Sequence, residues 1–367
     1  MRWSWRIGSI AGIPLYIHAT FLLIIVWVAV AHWMSDQSVA GTVLGVLFVL
    51  ALFACVVLHE LGHALAARRY NIRTRDITLL PIGGLARLER MPDKPSEELR
   101  VALAGPAVNV AIAGLLYMGL QLTTGLGPLS RLSVVEGSFF QRLMIVNVFL
   151  VLFNLLPAFP MDGGRVLRAI LATRLDYVRA TQVASTVGQA MALLFGFVGF
   201  FTNPFLIFIA LFVWIGAAQE SSMVQMRSSL AGIPVNRAML TDFETLQATD
   251  TLEDAVRLIL AGSQQDFPVY EHGRLAGVLT RADLVKALAQ KPGQTPVADA
   301  MRRDFQIVDA HEMLESAFSK LNQCACNTLP VTRDGQLVGL LTTENFGEFM
   351  MIQAALGAAS RGSRQAA

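Results

Sequence analysis

The stretch GTVLGVLFVLALFACVVLHELGHALAARR, residues 41–69, decides how this chain is read. From Gly41 to Leu58 it is an uninterrupted apolar run, and it closes on Arg68 and Arg69. A helix needs about 20 apolar residues to cross roughly 30 Å of hydrocarbon, and basic residues mark the cytoplasmic interface. The span therefore covers Gly41 to Ala67, and His59, Glu60 and His63 fall inside it. At about 1.5 Å per residue, His59 lies roughly 13 Å and His63 roughly 7 Å short of the flanking arginine. Ionisable groups at such depth cost on the order of several kcal/mol unless they face protein, water or a metal ion.

The rest of the chain agrees with a membrane setting. Of 367 residues, 54% are hydrophobic and only 15% charged, and the mean hydropathy is +0.52, which argues against a wholly soluble protein. The apolar excess ends near Met226, after which ordinary soluble alternation begins. A net charge of +2 with no basic stripe excludes nucleic-acid binding. Three cysteines form no disulfide framework: Cys55 lies in the apolar run, and Cys324 and Cys326 are a tight pair without a second pair.

Further spans are expected at Leu15–Met34, Val101–Leu120 and Leu143–Leu156. Val183–Ala218 is too long for one crossing and should turn at Thr202-Asn203-Pro204 into two short spans. Six crossings place both termini on one side. Arg2, Arg6, the Arg68/Arg69/Arg73/Arg75 group, Arg165, Arg168, Arg174, Arg179 and Arg227 fall on that side, whereas Arg131 and Arg142 lie on or near the other. The bias makes the shared side cytoplasmic, in the cell (inner) membrane.

His59-Glu60-Leu61-Gly62-His63 is an HExxH arrangement. On a helix, residues four apart share a face, so two imidazoles can reach one Zn²⁺ while the adjacent glutamate stays free to accept a proton from water. A catalytic zinc needs a third protein ligand. Among the other histidines, His18 and His32 lie in the first span and His272 and His311 in the soluble part. Asp162 is the better choice, because it follows the fourth span on the correct side and Gly163-Gly164 allow close backbone approach. A helix-capping aspartate is the competing explanation.

HExxH together with Asn154-Leu155-Leu156-Pro157-Ala158-Phe159-Pro160-Met161-Asp162-Gly163-Gly164 resembles the paired signature of the site-2 protease family of intramembrane zinc proteases. The likeness runs from about Gly12 to Glu220. It implies His59, His63 and Asp162 as zinc ligands and Glu60 as general base, with Asn154 orienting substrate or steadying the oxyanion. Ala104-Gly105-Pro106-Ala107-Val108-Asn109 also resembles the family's third-span motif, which implies close helix packing and substrate support from Asn109. Thr74–Leu88, rich in β-branched residues around Pro81-Ile82-Gly83-Gly84, would be a membrane-associated β-hairpin near the site, whose strand edge is able to bind an extended peptide. A purely structural loop is the other option there.

Beyond Met226 the chain repeats itself. Val235-Asn236-Arg237-Ala238-Met239 recurs as Val297-Ala298-Asp299-Ala300-Met301, a displacement of 62 that also relates Phe267-Pro268-Val269-Tyr270 to Leu329-Pro330-Val331-Thr332, and Gly277-Val278-Leu279-Thr280 to Gly339-Leu340-Leu341-Thr342. Such recurrence marks stacked units, each with a helix, a strand, a glycine turn, a strand and a helix. The pair resembles tandem CBS domains. That likeness implies homodimerisation through the CBS units and an adenine nucleotide such as ATP or AMP bound between the repeats, contacted by Thr280 and Asp283 in the first unit and by Thr342 and Asn345 in the second.

The expected architecture is thus a polytopic α-helical membrane protein of about six transmembrane helices with a C-terminal α/β tandem CBS module. Its divisions are a transmembrane metalloprotease domain over 1–226, a linker over 227–234, CBS units over 235–292 and 297–352, and a flexible tail over 353–367. The expected function is zinc-dependent cleavage of single-pass or other transmembrane protein substrates within the lipid bilayer. A nucleotide-sensing metal transporter or channel is the alternative. It would spread polar groups along several helices instead of gathering them at one site.

Overall fold

Apolar residues without periodicity fill whole helices when lipid surrounds them, because no face has to meet water. In the computed structural model, which describes residues 3–81, 83–92, 94–123, 137–323 and 327–365, such helices dominate the first of two compact units, Met1–Gln225 and Met226–Ala367. Arg131 and the Cys324/Cys326 pair lie outside the described residues.

The first unit begins with two strands, β1 (Ser4–Ile10) and β2 (Ile13–His18), then α1 (Phe21–Asp36) and α2 (Val39–Arg68). Next come β3 (Thr74–Leu80), β4 (Gly83–Leu88), α3 (Pro95–Thr123), α4 (Phe139–Asn154), the short α5 (Asp162–Leu171), α6 (Tyr177–Phe201) and α7 (Phe205–Leu230). Four helices, α2, α3, α6 and α7, are long and apolar enough to cross a membrane, and α1 and α4 are shorter apolar helices. Large side chains point outward from them, among them Trp27, Leu115, Phe197 and Phe208. This is a membrane protein. Among the described residues four helices are of spanning length, and the 16 residues of α1 and of α4 rise only about 24 Å.

The N-terminal span was placed from Leu15, but residues up to His18 form a strand. Pro14 cannot serve a helix interior, and Ala11 and Gly12, both with positive φ (53° and 83°), turn β1 back onto β2. The anticipated hairpin at 74–88 is β3 and β4, within a four-stranded sheet ordered β1-β2-β3-β4 in which only β2 and β3 run parallel. The sheet packs on α2, where Ile13, Ala64 and Ile77 form one cluster and Phe21, Phe53, Val57 and Leu79 another.

Helices α2 and α3 cross so closely that a Cβ on Gly62 would stand 2.8 Å from the Ala104 carbonyl oxygen. The fully buried Arg168 of α5 donates to Glu98 of α3 at 2.8 Å and to Glu220 of α7 at 2.5 Å, with its guanidinium over the rings of Phe159 and Tyr177. Glu98 Oε2 is buried with no partner, so the network depends on Arg168. Arg168→Leu should lower stability by about 3–5 kcal/mol, because it strands a buried carboxylate. An unchanged melting temperature of the detergent-solubilised variant would contradict this.

The second unit is the repeat. Its first copy holds β5 (Leu246–Gln247), α8 (Leu252–Ala261), β6 (Phe267–Glu271), β7 (Arg274–Leu279) and α9 (Arg281–Leu288). The second holds β8 (Val308–Asp309), α10 (Leu314–Gln323), β9 (Thr328–Arg333), β10 (Gln336–Thr342) and α11 (Thr343–Gln365). Equivalent hairpins turn at His272-Gly273 and Asp334-Gly335, all four residues with positive φ. The copies are interlocked, since Leu240 bridges to Leu340 and their counterparts in the other copy, Arg302 and Val278, bridge in the same way.

Two expected boundaries shift. The supposed linker from 227 is helical through Leu230, whose side chain is fully buried in the core of this unit with Val235 and Leu314. The supposed tail from 353 continues α11 to Gln365, as its alanines, glutamines and arginines favour.

Candidate metal centre

His59 and His63 leave one face of α2, and Asp162 opens α5 after the loop that follows α4. The His59 and His63 Nε2 atoms are 3.1 Å apart, and Asp162 Oδ2 lies 3.2 Å from the first and 3.1 Å from the second. Among the described residues, these three buried side chains form the cluster placed to share a metal ion.

The far ring nitrogens determine what the near ones offer. His63 Nδ1 lies 2.7 Å from the Val101 carbonyl oxygen, which only accepts, so Nδ1 carries the hydrogen. His59 Nδ1 lies 2.6 Å from Asn109 Oδ1. That amide is oriented by its own bond, Asn109 Nδ2 donating to Asn147 Oδ1 at 3.0 Å, and Asn147 Nδ2 donates in turn to the Leu143 carbonyl at 2.9 Å. Both Nε2 atoms are left with lone pairs aimed at each other and at a carboxylate. Three acceptors at this spacing repel, and one proton relieves a single pair of the three. A tetrahedral zinc about 2.0–2.1 Å from its donors sets them roughly 3.3–3.4 Å apart, so the trio fits that ion closely.

Glycines make room for it. A Cβ on Gly105 of α3 would lie 2.2 Å from His63 Nε2 and 2.6 Å from His59 Nε2. A Cβ on Gly163 would strike the Leu156 carbonyl oxygen at 2.1 Å, and one on Gly164 the Phe159 nitrogen at 2.6 Å, so the loop before α5 wraps its first turn and fixes Asp162.

Glu60, on the same turn of α2, stays off the trio. Half-buried, it accepts from the Ala86 N–H of β4 at 3.2 Å. Gly84 permits this approach, since a Cβ there would meet Glu60 Cγ at 2.7 Å. Because β4 ends the sheet, Glu60 borders a free strand edge.

Asn109 departs from its expected place. Fully buried, it holds His59 instead of facing a substrate. Asn154 closes α4 half-buried, and among the described residues no hydrogen bond joins it to the trio. Val101, Asn147 and the Arg168 network were missed, although asparagines in two apolar spans were a usable signal. Elsewhere His18 pairs with Thr20 at 2.7 Å and His32 with the Val28 carbonyl at 3.0 Å.

In the second unit, Thr280 and Thr342 line one cavity, but Asp283 and Asn345 do not. Asp283 is held by Arg302 and by the Thr280 hydroxyl at 2.6 Å. Burial would raise its pKa, but these hydrogen bonds outweigh burial and hold the carboxyl below its usual range. Asn345 is spent on the backbone of Thr342, at 2.6 Å, and on the Ala238 carbonyl. In this structure both residues make internal contacts.

Comparison with known proteins matches Peptidase family M50 to residues 47–195 and the CBS domain to residues 235–290 and 297–348. A zinc metalloprotease of Methanocaldococcus jannaschii is 35% identical over 353 residues, 96% of this chain and 97% of its own length. The chain belongs to peptidase family M50. Stage IV sporulation protein FB of Bacillus subtilis is 30% identical over 148 residues, 40% of this M50 chain and 48% of its own. A solved site-2 protease from Methanocaldococcus jannaschii is 38% identical, covering 60% of this chain and 95% of that one with a TM-score of 0.45. This M50 protein is a zinc metalloprotease of the site-2 type fused to a CBS pair.

For an M50 site built this way, Asn109→Leu should weaken zinc binding by about 10- to 100-fold, since it frees the His59 ring to turn. Competition against a calibrated chelator reads this directly, and unchanged affinity would deny Asn109 that role.

Proposed function

We propose that this protein cleaves transmembrane segments of single-pass or other membrane proteins, with zinc held by His59, His63 and Asp162. The observation that carries the reading is the trio of converging lone pairs with Glu60 beside it and free of it. When bound, the ion polarises the scissile carbonyl and the attacking water. Glu60 accepts that water's proton as the new C–O bond forms, and returns it to the leaving amine as the C–N bond breaks. The free edge of β4 supports the same reading: a substrate unwound into an extended strand could pair there, its backbone next to Glu60.

The proposal extends to topology and assembly. Six crossings, with α1 and α4 as the short ones, would leave the N-terminus and the CBS module in the cytoplasm, as the arginine bias indicates. The CBS units would join two copies, and the cavity between the repeats would take a regulatory ligand of the adenine class.

The test uses purified full-length protein in detergent. About one zinc per chain is expected, along with cleavage of a model single-pass substrate carrying a helix-breaking Asn-Pro, lost on chelation and restored by zinc. Metal flux into proteoliposomes without any cleavage would favour the transporter.

A further inference from the structure

Between the two CBS repeats lies a cavity of about 460 Å³. Its wall carries three carboxylates, Asp242, Asp266 and Glu344, against one cation, Arg281, and includes neither lysine nor histidine among the described residues. Arg281 is already turned to the side-chain oxygen of Gln265 at 3.3 Å.

Several of the polar groups that would greet a phosphate are also occupied. An anion at a helix start needs free N–H donors, and the start of α9 faces this cavity. There the buried Asp266 is itself the resident anion: one oxygen accepts from the Arg281 N–H at 3.0 Å and the other from the Thr328 hydroxyl at 2.7 Å. The Thr280 hydroxyl is committed to Asp283, and the Thr342 hydroxyl to Asn345 at 2.9 Å. With three carboxylates against one guanidinium the lining is acceptor-rich and negative, which matches hydroxyl, amino and cationic donors and opposes phosphate.

We propose that this cavity selects a small donor-rich ligand that is neutral or positively charged and bears no phosphate. The proposal rests on the reading of the cavity as a regulatory adenine-class site, and it departs from the ATP or AMP that the repeat pattern led one to expect. Asp242 and Glu344 are exposed and add negative charge to the lining, while Asp266 takes up the Arg281 N–H at the start of α9.

Isothermal titration of the full-length protein with adenosine, S-adenosylmethionine, AMP and ATP, each with and without Mg²⁺, tests it. S-adenosylmethionine should bind at least about tenfold tighter than AMP, adenosine should also exceed AMP, and ATP should be weakest in both conditions. In the Asp242→Asn/Glu344→Gln variant, whose two sites are exposed, the ratio of S-adenosylmethionine to AMP affinity should fall to within about threefold. Tighter binding of AMP or of ATP with Mg²⁺ would overturn the charge selection and leave the adenine reading standing. An unchanged ratio in the variant would overturn it too. No binding by any of the four would remove both.

Discussion

Gly105→Ala should purify as a folded membrane protein with less than about one-tenth of the wild-type zinc and no detectable cleavage. In an ordinary helix interior this change is mildly favourable, by roughly 0.5–1 kcal/mol, because alanine loses less backbone freedom than glycine. Here the added methyl would stand 2.2 Å from His63 Nε2 and 2.6 Å from both His59 Nε2 and His63 Cε1. That is far inside van der Waals contact, and the atoms approached are the donor nitrogens themselves. Neither ring can retreat cheaply, as each is tied through Nδ1, to Val101 and to Asn109. The methyl and a metal ion thus compete for one small volume. Helical content should stay near wild type even as the melting temperature falls, which separates this outcome from misfolding. Full zinc occupancy with normal turnover would show that the donors converge elsewhere.

Glu60→Gln should leave zinc content intact while reducing turnover by about 10²- to 10⁴-fold, the usual contribution of a positioned general base. The substitution keeps shape and the bond from Ala86, since the amide oxygen can accept as the carboxylate did. It removes only the capacity to take a proton. Zinc analysis and single-turnover cleavage on the same preparation distinguish the two effects. His63→Ala, by contrast, should lose metal and turnover together. Turnover equal to wild type in Glu60→Gln would sink the role assigned to the base. The inactive variant also offers a means of retaining bound substrate for identification.

Much of the site was legible in two short segments. HELGH announced itself because ionisable groups at membrane depth demand a reason, and MDGG because a carboxylate followed by two glycines suits a tightly wrapped helix start. The third ligand rested on depth, side, the Gly163-Gly164 pair and the family signature, and contact between α2 and α5 required coordinates. Strand β2 was hidden at the start of an apolar run, where hydropathy cannot tell strand from helix; Pro14 and the Ala11-Gly12 turn were the overlooked signs. Arg168 was counted as one more interfacial charge, since nothing local links it to Glu98 and Glu220, 70 and 52 residues away. Asn109 was given to the substrate because its neighbours in sequence said nothing about the imidazole 50 residues back that it steadies. In the repeats, the 62-residue displacement located the elements, but which side chains face the cleft depends on how the copies interlock.

That interlock has an evolutionary corollary. Each copy finishes its sheet with backbone from the other, through Leu240 on Leu340 and Arg302 on Val278. A solitary ancestor of half the length would have carried an open edge until it met its twin. Carrying both copies in one polypeptide makes that pairing intramolecular, at a far higher local concentration than two separate copies would have.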